Sequence, residues 1–343
     1  MKHGAWPGPF DWIQAAEPRA VAIVGICKNA GKTTLLNHLL SLRKKGVWGV
    51  FSTGIDGEER DSVFRVPKPA VKLGPDIIFC CDTANLDALG SGVKVLEKVR
   101  GSSAARPLWL ARSLAPLQTE ITGPGSVSEQ ISVLQTMWEQ GAGKVLIDGS
   151  LDRKSIALSE AVDAVAVVIG ASFGSVSSVI TEIRRLELLN SLPEAKLGQQ
   201  EFAKLLGSEK ILLKKDGCWT GSDLHSLLGN EKELKKLLEQ GHEAIYIPGA
   251  LTDAVFPALR EPLAALKANI IFRHPECLKL GLTRLERLVE ELQPRVLIPF
   301  RIRSWTVNTA SVGNVAVDAA DFRARLREAF PQLDLPDIRE LTS

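Results

Sequence analysis

Metal-binding cysteine motifs and membrane-length apolar runs are both missing from this chain of 343 residues. Its five cysteines, Cys27, Cys80, Cys81, Cys218 and Cys277, form no CxxC pair and no Cys/His cluster with metal spacing, which argues against a structural zinc site. Their odd number, without a signal peptide, reads as reduced and intracellular. No apolar stretch approaches the length of a membrane span, and the N-terminal MKHGAWPGPFDW has no apolar core of a leader sequence. Neither sign of charge dominates: 42 Lys and Arg against 40 Asp and Glu leave +2, too little to drive the chain onto nucleic acid or an anionic membrane. Internal repeats and low-complexity tracts are absent as well. The expectation is a cytoplasmic protein with neither nucleic acid nor membrane as a partner.

The 45% of hydrophobic and 24% of charged residues suit a soluble globular protein long enough for two domains. Apolar runs at 21–24, 47–52, 77–81, 144–147 and 164–169 read as buried strands. Helical patterns at 33–45, 93–99, 126–140 and 176–189 fall between and after them, with Gly46 as a C-terminal stop for the first and Ser126 or Ser128 as a cap for the third. Short strands are expected at 108–110 and 117–121. Such alternation predicts an α/β fold with a mostly parallel sheet. Between 192 and 243 the texture shifts to Lys, Glu, Leu and Gly, and strand runs return at 244–247, 270–272, 296–298 and 305–309, before a polar helix at 321–329. The expected organisation is an N-terminal extension over 1–19, a P-loop nucleotide-binding domain over 20–191 and a smaller α/β region over 192–343.

The stretch GICKNAGKTT at 25–34 follows the first strand and opens the first helix. Backbone N–H groups in such a turn converge on phosphate oxygens, and the N-terminal end of the helix dipole faces the anion. Gly25, Lys28, Asn29, Ala30, Gly31, Lys32, Thr33 and Thr34 are therefore the candidate nucleotide-binding residues. Lys32 would reach the β- and γ-phosphates, and the Thr33 hydroxyl would ligate Mg²⁺. The first glycine stands one place before its position in the standard G-x-x-x-x-G-K-[ST] loop, where this chain has Ile26.

A loop of this kind needs a carboxylate at the end of a neighbouring strand to hold Mg²⁺. Asp148 and Asp82 both end apolar runs, and Asp148 is preferred because Gly149 and the polar segment 152–155 follow it. The segment STGIDGEERD at 52–61 sits where a γ-phosphate-sensing switch belongs, with Asp56, Glu58 and Glu59 available to order Mg²⁺ or a water. Lys32, Asp56 and Asp148 form the candidate catalytic set. No base-reading NKxD element distinguishes ATP from GTP.

The 25–34 loop has the five-residue glycine spacing that is found in dethiobiotin synthetase and other SIMIBI-class P-loop proteins. Ligases of that kind carry a lysine after the second strand, where this chain reads Phe51-Ser52-Thr53-Gly54. Amidotransferases use a cysteine in a glycine elbow, which His274-Pro275-Glu276-Cys277 does not provide, and Cys277 reads as a structural thiol. Asp223-Leu224-His225 with Gly229 misses the corrinoid-binding D-x-H-x-x-G spacing by one residue.

Four stretches together, GICKNAGKTTLLN, FSTGIDGEERD, LQTEITGPGSVSEQ and the segment 141–172, resemble the KamB-type subunit of the lysine 5,6-aminomutase reactivase. The likeness covers most of residues 20–190. It implies an ATP- and Mg²⁺-dependent, chaperone-like protein that helps an adenosylcobalamin-dependent aminomutase release damaged cobalamin, with a MutS-like ATPase subunit and the aminomutase as partners. The alternative is a SIMIBI-class ATP-dependent ligase or cofactor-biosynthesis adaptor, of the dethiobiotin synthetase or molybdopterin adaptor type.

Overall fold

A computed structural model describes residues 8–53, 70–100, 106–149, 156–266, 269–310 and 318–341. The chain divides into two compact units, one of Met1–Val179 with Ile302–Ser343 and one of Ile180–Arg301.

In chain order the first unit contains β1 (Ala20–Gly25), α1 (Lys32–Ser41), β2 (Trp48–Ser52), β3 (Val71–Leu73), β4 (Ile77–Asp82) and α2 (Thr83–Leu89). It continues with β5 (Val93–Lys98), β6 (Leu108–Ser113), β7 (Leu117–Thr119), α3 (Val127–Glu139), β8 (Lys144–Gly149), β9 (Ala164–Gly170) and the start of α4 (Val176–Asn190). The second unit holds α5 (Gln199–Leu206), β10 (Leu212–Lys215), β11 (Cys218–Gly221), α6 (Glu231–Leu238), β12 (Ala244–Ile247), β13 (Leu251–Thr252), α7 (Phe256–Leu266), β14 (Asn269–Phe272), β15 (Leu278–Lys279), α8 (Leu282–Leu292) and β16 (Arg295–Val296). The chain then returns to the first unit with β17 (Ile302–Asn308), α9 (Ala319–Ala329) and α10 (Ile338–Leu341).

The first unit is built on an eight-stranded sheet ordered β17-β9-β1-β8-β2-β4-β6-β5. From β17 to β4 every pair is parallel, and β6 and β5 extend the edge in antiparallel fashion. β1 and β9 read as continuous apolar runs because they lie inside the sheet, and their residues from Ala20 to Val24 and Ala164 to Ile169 are buried. α1 turns Leu35, Leu36, Leu39 and Leu40 onto the core. Burial of each such leucine contributes about 1.5–3 kcal/mol before entropy is counted. The second unit has its own five-stranded sheet, β11-β10-β12-β14-β16, parallel from β12 to β16.

The α/β expectation with a largely parallel sheet holds, and Ser126 caps α3 by accepting from the Glu129 N–H. Three details differ. Residues 93–98 form an edge strand rather than a helix, because pairing with β6 overrides the helical leaning of their Lys, Glu and Leu. Lys94 and Lys98 on that strand suit an edge, where charge discourages further pairing. α1 stops at Ser41, short of the expected 45.

The third difference concerns boundaries. The expected smaller region spans 192–343, whereas β17 pairs with β9 from Ile302 to Asn308 and completes the first sheet. In the described part of the 1–19 extension, Phe10, Trp12 and Ile13 are buried in the core of the first unit.

Candidate functional site

β1 delivers the chain to the carboxyl edge of the sheet, and α1 begins seven residues after Gly25. The Ile26 N–H still donates to the Val168 carbonyl of β9 at 3.1 Å, so the chain leaves the sheet only after that residue. Asn29 (φ 57°) and Gly31 (φ 103°) are both left-handed and turn the loop back over the strand end. A side chain on Gly25 would stand 2.8 Å from Ala30 Cβ and 3.2 Å from Lys32 Cγ. On β9, a side chain on Gly170 would stand 2.8 Å from Ala30 Cα. These two glycines make the seat for fully buried Ala30, and the close turn over Gly25 accounts physically for a glycine at that early position. Cys27 lies beside the same seat, its Sγ 3.4 Å from Ser172 Oγ.

The loop also has a partner from far along the sequence. Asn308, at the end of β17, donates from Nδ2 to the Ala30 carbonyl at 3.0 Å and is 8% exposed. A Cβ on Gly31 would stand 2.4 Å from that same nitrogen, so the approach of Asn308 requires glycine there.

Lys28 and Asn29 are exposed, whereas Lys32, Thr33 and Thr34 are half-buried in the first turn of α1. The N–H groups of this turn lack intrahelical acceptors, as at every helix start. Asp148 is the fifth residue of β8, in register with Ile23 of β1 and Ser52 of β2, and its carbonyl accepts from the Thr53 N–H at 2.8 Å. It therefore shares the carboxyl edge with the loop, on the adjacent strand. Asp82 lies on β4, with β2 between it and β8. The candidate residue Asp56 and the segment 152–155 lie outside the described residues.

Strand connectivity gives this edge its shape. From β1 the chain passes through α1 to β2, on the β8 side, while β17 lies on the other side of β9. Connections therefore diverge between β1 and β9, the arrangement that opens a ligand crevice beyond the carboxyl ends of strands in open α/β sheets.

No family model, curated protein or solved structure matches this chain.

The remaining candidate features do not converge on chemistry. In the second unit, His274 is buried, burial pushes its pKa down to about 3, and its Nδ1 accepts from the Glu276 N–H at 3.1 Å. Cys277 donates from Sγ to the Pro248 carbonyl at 3.5 Å. In the first unit, burial raises the pKa of the Cys80 and Cys81 thiols, that of Cys81 to about 12, which keeps both protonated and unreactive. A pocket of about 510 Å³ lined by Asn37, Arg43, Lys72 and Gln118 lies along the C-terminal half of α1, away from the loop. Among the described residues no helix is long and apolar enough to cross a membrane, and no group of three or more His, Cys, Asp or Glu is placed to hold a metal ion.

Sequence reasoning found the loop through its glycines and Lys32. It missed Gly170 and Asn308, which carry no local motif and reach the loop only when β9 and β17 are assembled beside β1.

Proposed function

We propose that the first unit is a P-loop NTPase that binds ATP with Mg²⁺ at residues 25–34 and hydrolyses it slowly. The observation that carries this reading is the tight strand–loop–helix turn at the divergence of β1 and β9, seated by Gly25 and Gly170 so closely that no side chain fits beneath it. Such a turn presents backbone N–H groups and a helix N-terminus to an anion, and Lys32 adds a full positive charge in the first turn of the helix.

Thr33 and Asp148 are suited to hold Mg²⁺ together with phosphate oxygens, because a hydroxyl at a helix start and a carboxylate on the adjacent strand end are hard oxygen donors. Bound Mg²⁺ would offset negative charge on the phosphates. Lys32 would stabilise charge on the terminal phosphoryl group, and Asp56 would order the attacking water.

The cellular role we propose is that of the ATP-binding subunit of an aminomutase reactivase, working with a MutS-like subunit in the cytoplasm. It rests on the sequence likeness of 25–37 and 141–172. The ligase reading is disfavoured by the absence of lysine after β2.

Calorimetry with Mg·ATP tests the site. Lys32→Ala is expected to weaken binding about ten- to a hundredfold, the effect of losing one charge-assisted phosphate contact. Unchanged affinity would put the phosphates elsewhere. ATP-dependent release of cyanocobalamin from a lysine aminomutase, tested with and without this chain, checks the cellular role.

A further inference from the structure

We propose that Asn308 is a positioning residue for the phosphate loop, holding one peptide of the loop in the orientation that an anion requires. The proposal rests on the nucleotide reading of residues 25–34 and names a residue, 278 positions away along the chain from the group it holds, that this reading did not include.

The geometry begins with a single peptide plane. Asn308 Nδ2 donates to the Ala30 carbonyl at 3.0 Å, in a buried setting. Because a trans peptide places its C=O and N–H on opposite sides, directing the Ala30 carbonyl at Asn308 directs the Gly31 N–H away from it. Gly31 is left-handed, at φ 103°, and glycine crosses between backbone regions more easily than any other residue. Without a tether this peptide could rotate and present a carbonyl oxygen where a donor is needed. An oxygen turned toward an anion repels it, whereas a fixed N–H attracts it without reorganisation.

Asn308 is itself held. Its Oδ1 accepts from the Ala310 N–H at 3.1 Å, so both ends of the amide are engaged and its nitrogen is the end that faces the loop. The Val307 N–H donates to the Pro336 carbonyl at 2.8 Å, and the neighbouring Thr309 hydroxyl donates to the carboxylate of buried Asp337. Arg323 from α9 donates to the same carboxylate at 2.9 Å. The loop is thus linked through Asn308 and its neighbours to Asp337 and to Arg323 of α9. The close fit of Gly31 against Asn308 is the second side of the same contact: a methyl group at Gly31 would displace the amide.

The test uses the full chain, Mg·ATP as the probe and two variants, Asn308→Ala and Asn308→Ser. Both are neutral, so neither adds charge near the phosphates, and the serine hydroxyl lacks the reach of the amide nitrogen. The readouts are Mg·ATP affinity by calorimetry, the melting temperature, and the ¹H–¹⁵N shift of the Gly31 amide in ligand-free protein. Positioning predicts an affinity about tenfold or more weaker in the folded variants, with a displaced Gly31 amide signal. Should Asn308→Ala fail to fold, Asn308→Ser is judged on the same criteria. Wild-type binding with affinity unchanged in either folded variant overturns the proposal and leaves the nucleotide site standing, since a purely structural contact would move only the melting temperature. No Mg·ATP binding by the wild-type chain overturns the nucleotide reading and the proposal with it.

Discussion

Arg106 forms an ion pair with Asp82 at 2.9 Å, and the other oxygen of that carboxylate accepts from the Asn85 N–H at 3.0 Å as the N-cap of α2. Burial raises the pKa of Asp82, but the Asn85 N–H and Arg106 outweigh it and hold the carboxyl below its ordinary value. This carboxylate has structural work at the start of a helix. Asp148, on the strand next to β1, is the carboxylate proposed above for Mg²⁺.

The two aspartates should therefore respond differently to the same change. Asp82→Asn is expected to lower stability by about 1–2 kcal/mol, the range for a lost cap and a weakened ion pair, and to leave the Mg²⁺ dependence of turnover intact. Asp148→Asn is expected to leave the melting temperature nearly unchanged and to raise the Mg²⁺ concentration needed for half-maximal turnover. Reversal of these roles in a magnesium titration would transfer the metal to Asp82.

Gly31→Ala combines a left-handed backbone with a clash against Asn308. A cost of about 1–2 kcal/mol in stability is expected, together with loss of Mg·ATP affinity. Chemical denaturation and calorimetry on the same samples measure both. Gly46→Ala, at φ 83° with open space around it, is the control: it should carry the backbone cost without the change in affinity.

Asp337 is buried, which by itself raises its pKa, yet the Thr309 hydroxyl, the Arg339 N–H and Arg323 together bring it below the ordinary carboxyl value. A carboxyl depressed on folding adds stability above its unfolded pKa and loses it as pH falls through the folded pKa. Asp337→Asn should therefore cost about 1–3 kcal/mol at neutral pH, and the difference from wild type should shrink once pH drops below about 4. Urea unfolding at several pH values checks it. A difference independent of pH would point to packing rather than charge.

His274 gives the opposite group type and the same direction. Its pKa, pushed down to about 3 by burial and by the nearby Lys279 and Arg301, lies below the unfolded value near 6.5. Between these values the unfolded chain binds the extra proton, so stability falls as pH drops. The expected loss is about 1.6 kcal/mol from pH 6.5 to pH 5, because the unfolded histidine is already half protonated at pH 6.5. His274→Phe should flatten that slope, read from unfolding of the full chain by fluorescence and by hydrogen exchange in residues 270–280.

Local chemistry can be read directly from the residues. Buried strands inside a parallel sheet must be continuously apolar, and 21–24, 144–147 and 164–169 show it. The glycines around the first turn mark the loop, because close backbone approach leaves few residue choices. The edge strand at 93–98 was not legible, since Lys, Glu and Leu lean toward helix and only pairing with β6 decides otherwise. Which distant residues meet depends on the assembled sheet. Gly170 carries no motif for supporting Ala30, and Asn308 sits after a chain segment that forms a sheet of its own. Both become partners of the loop only through strand order, which is set by the burial of whole sheet faces and leaves no local mark in the residues it brings together.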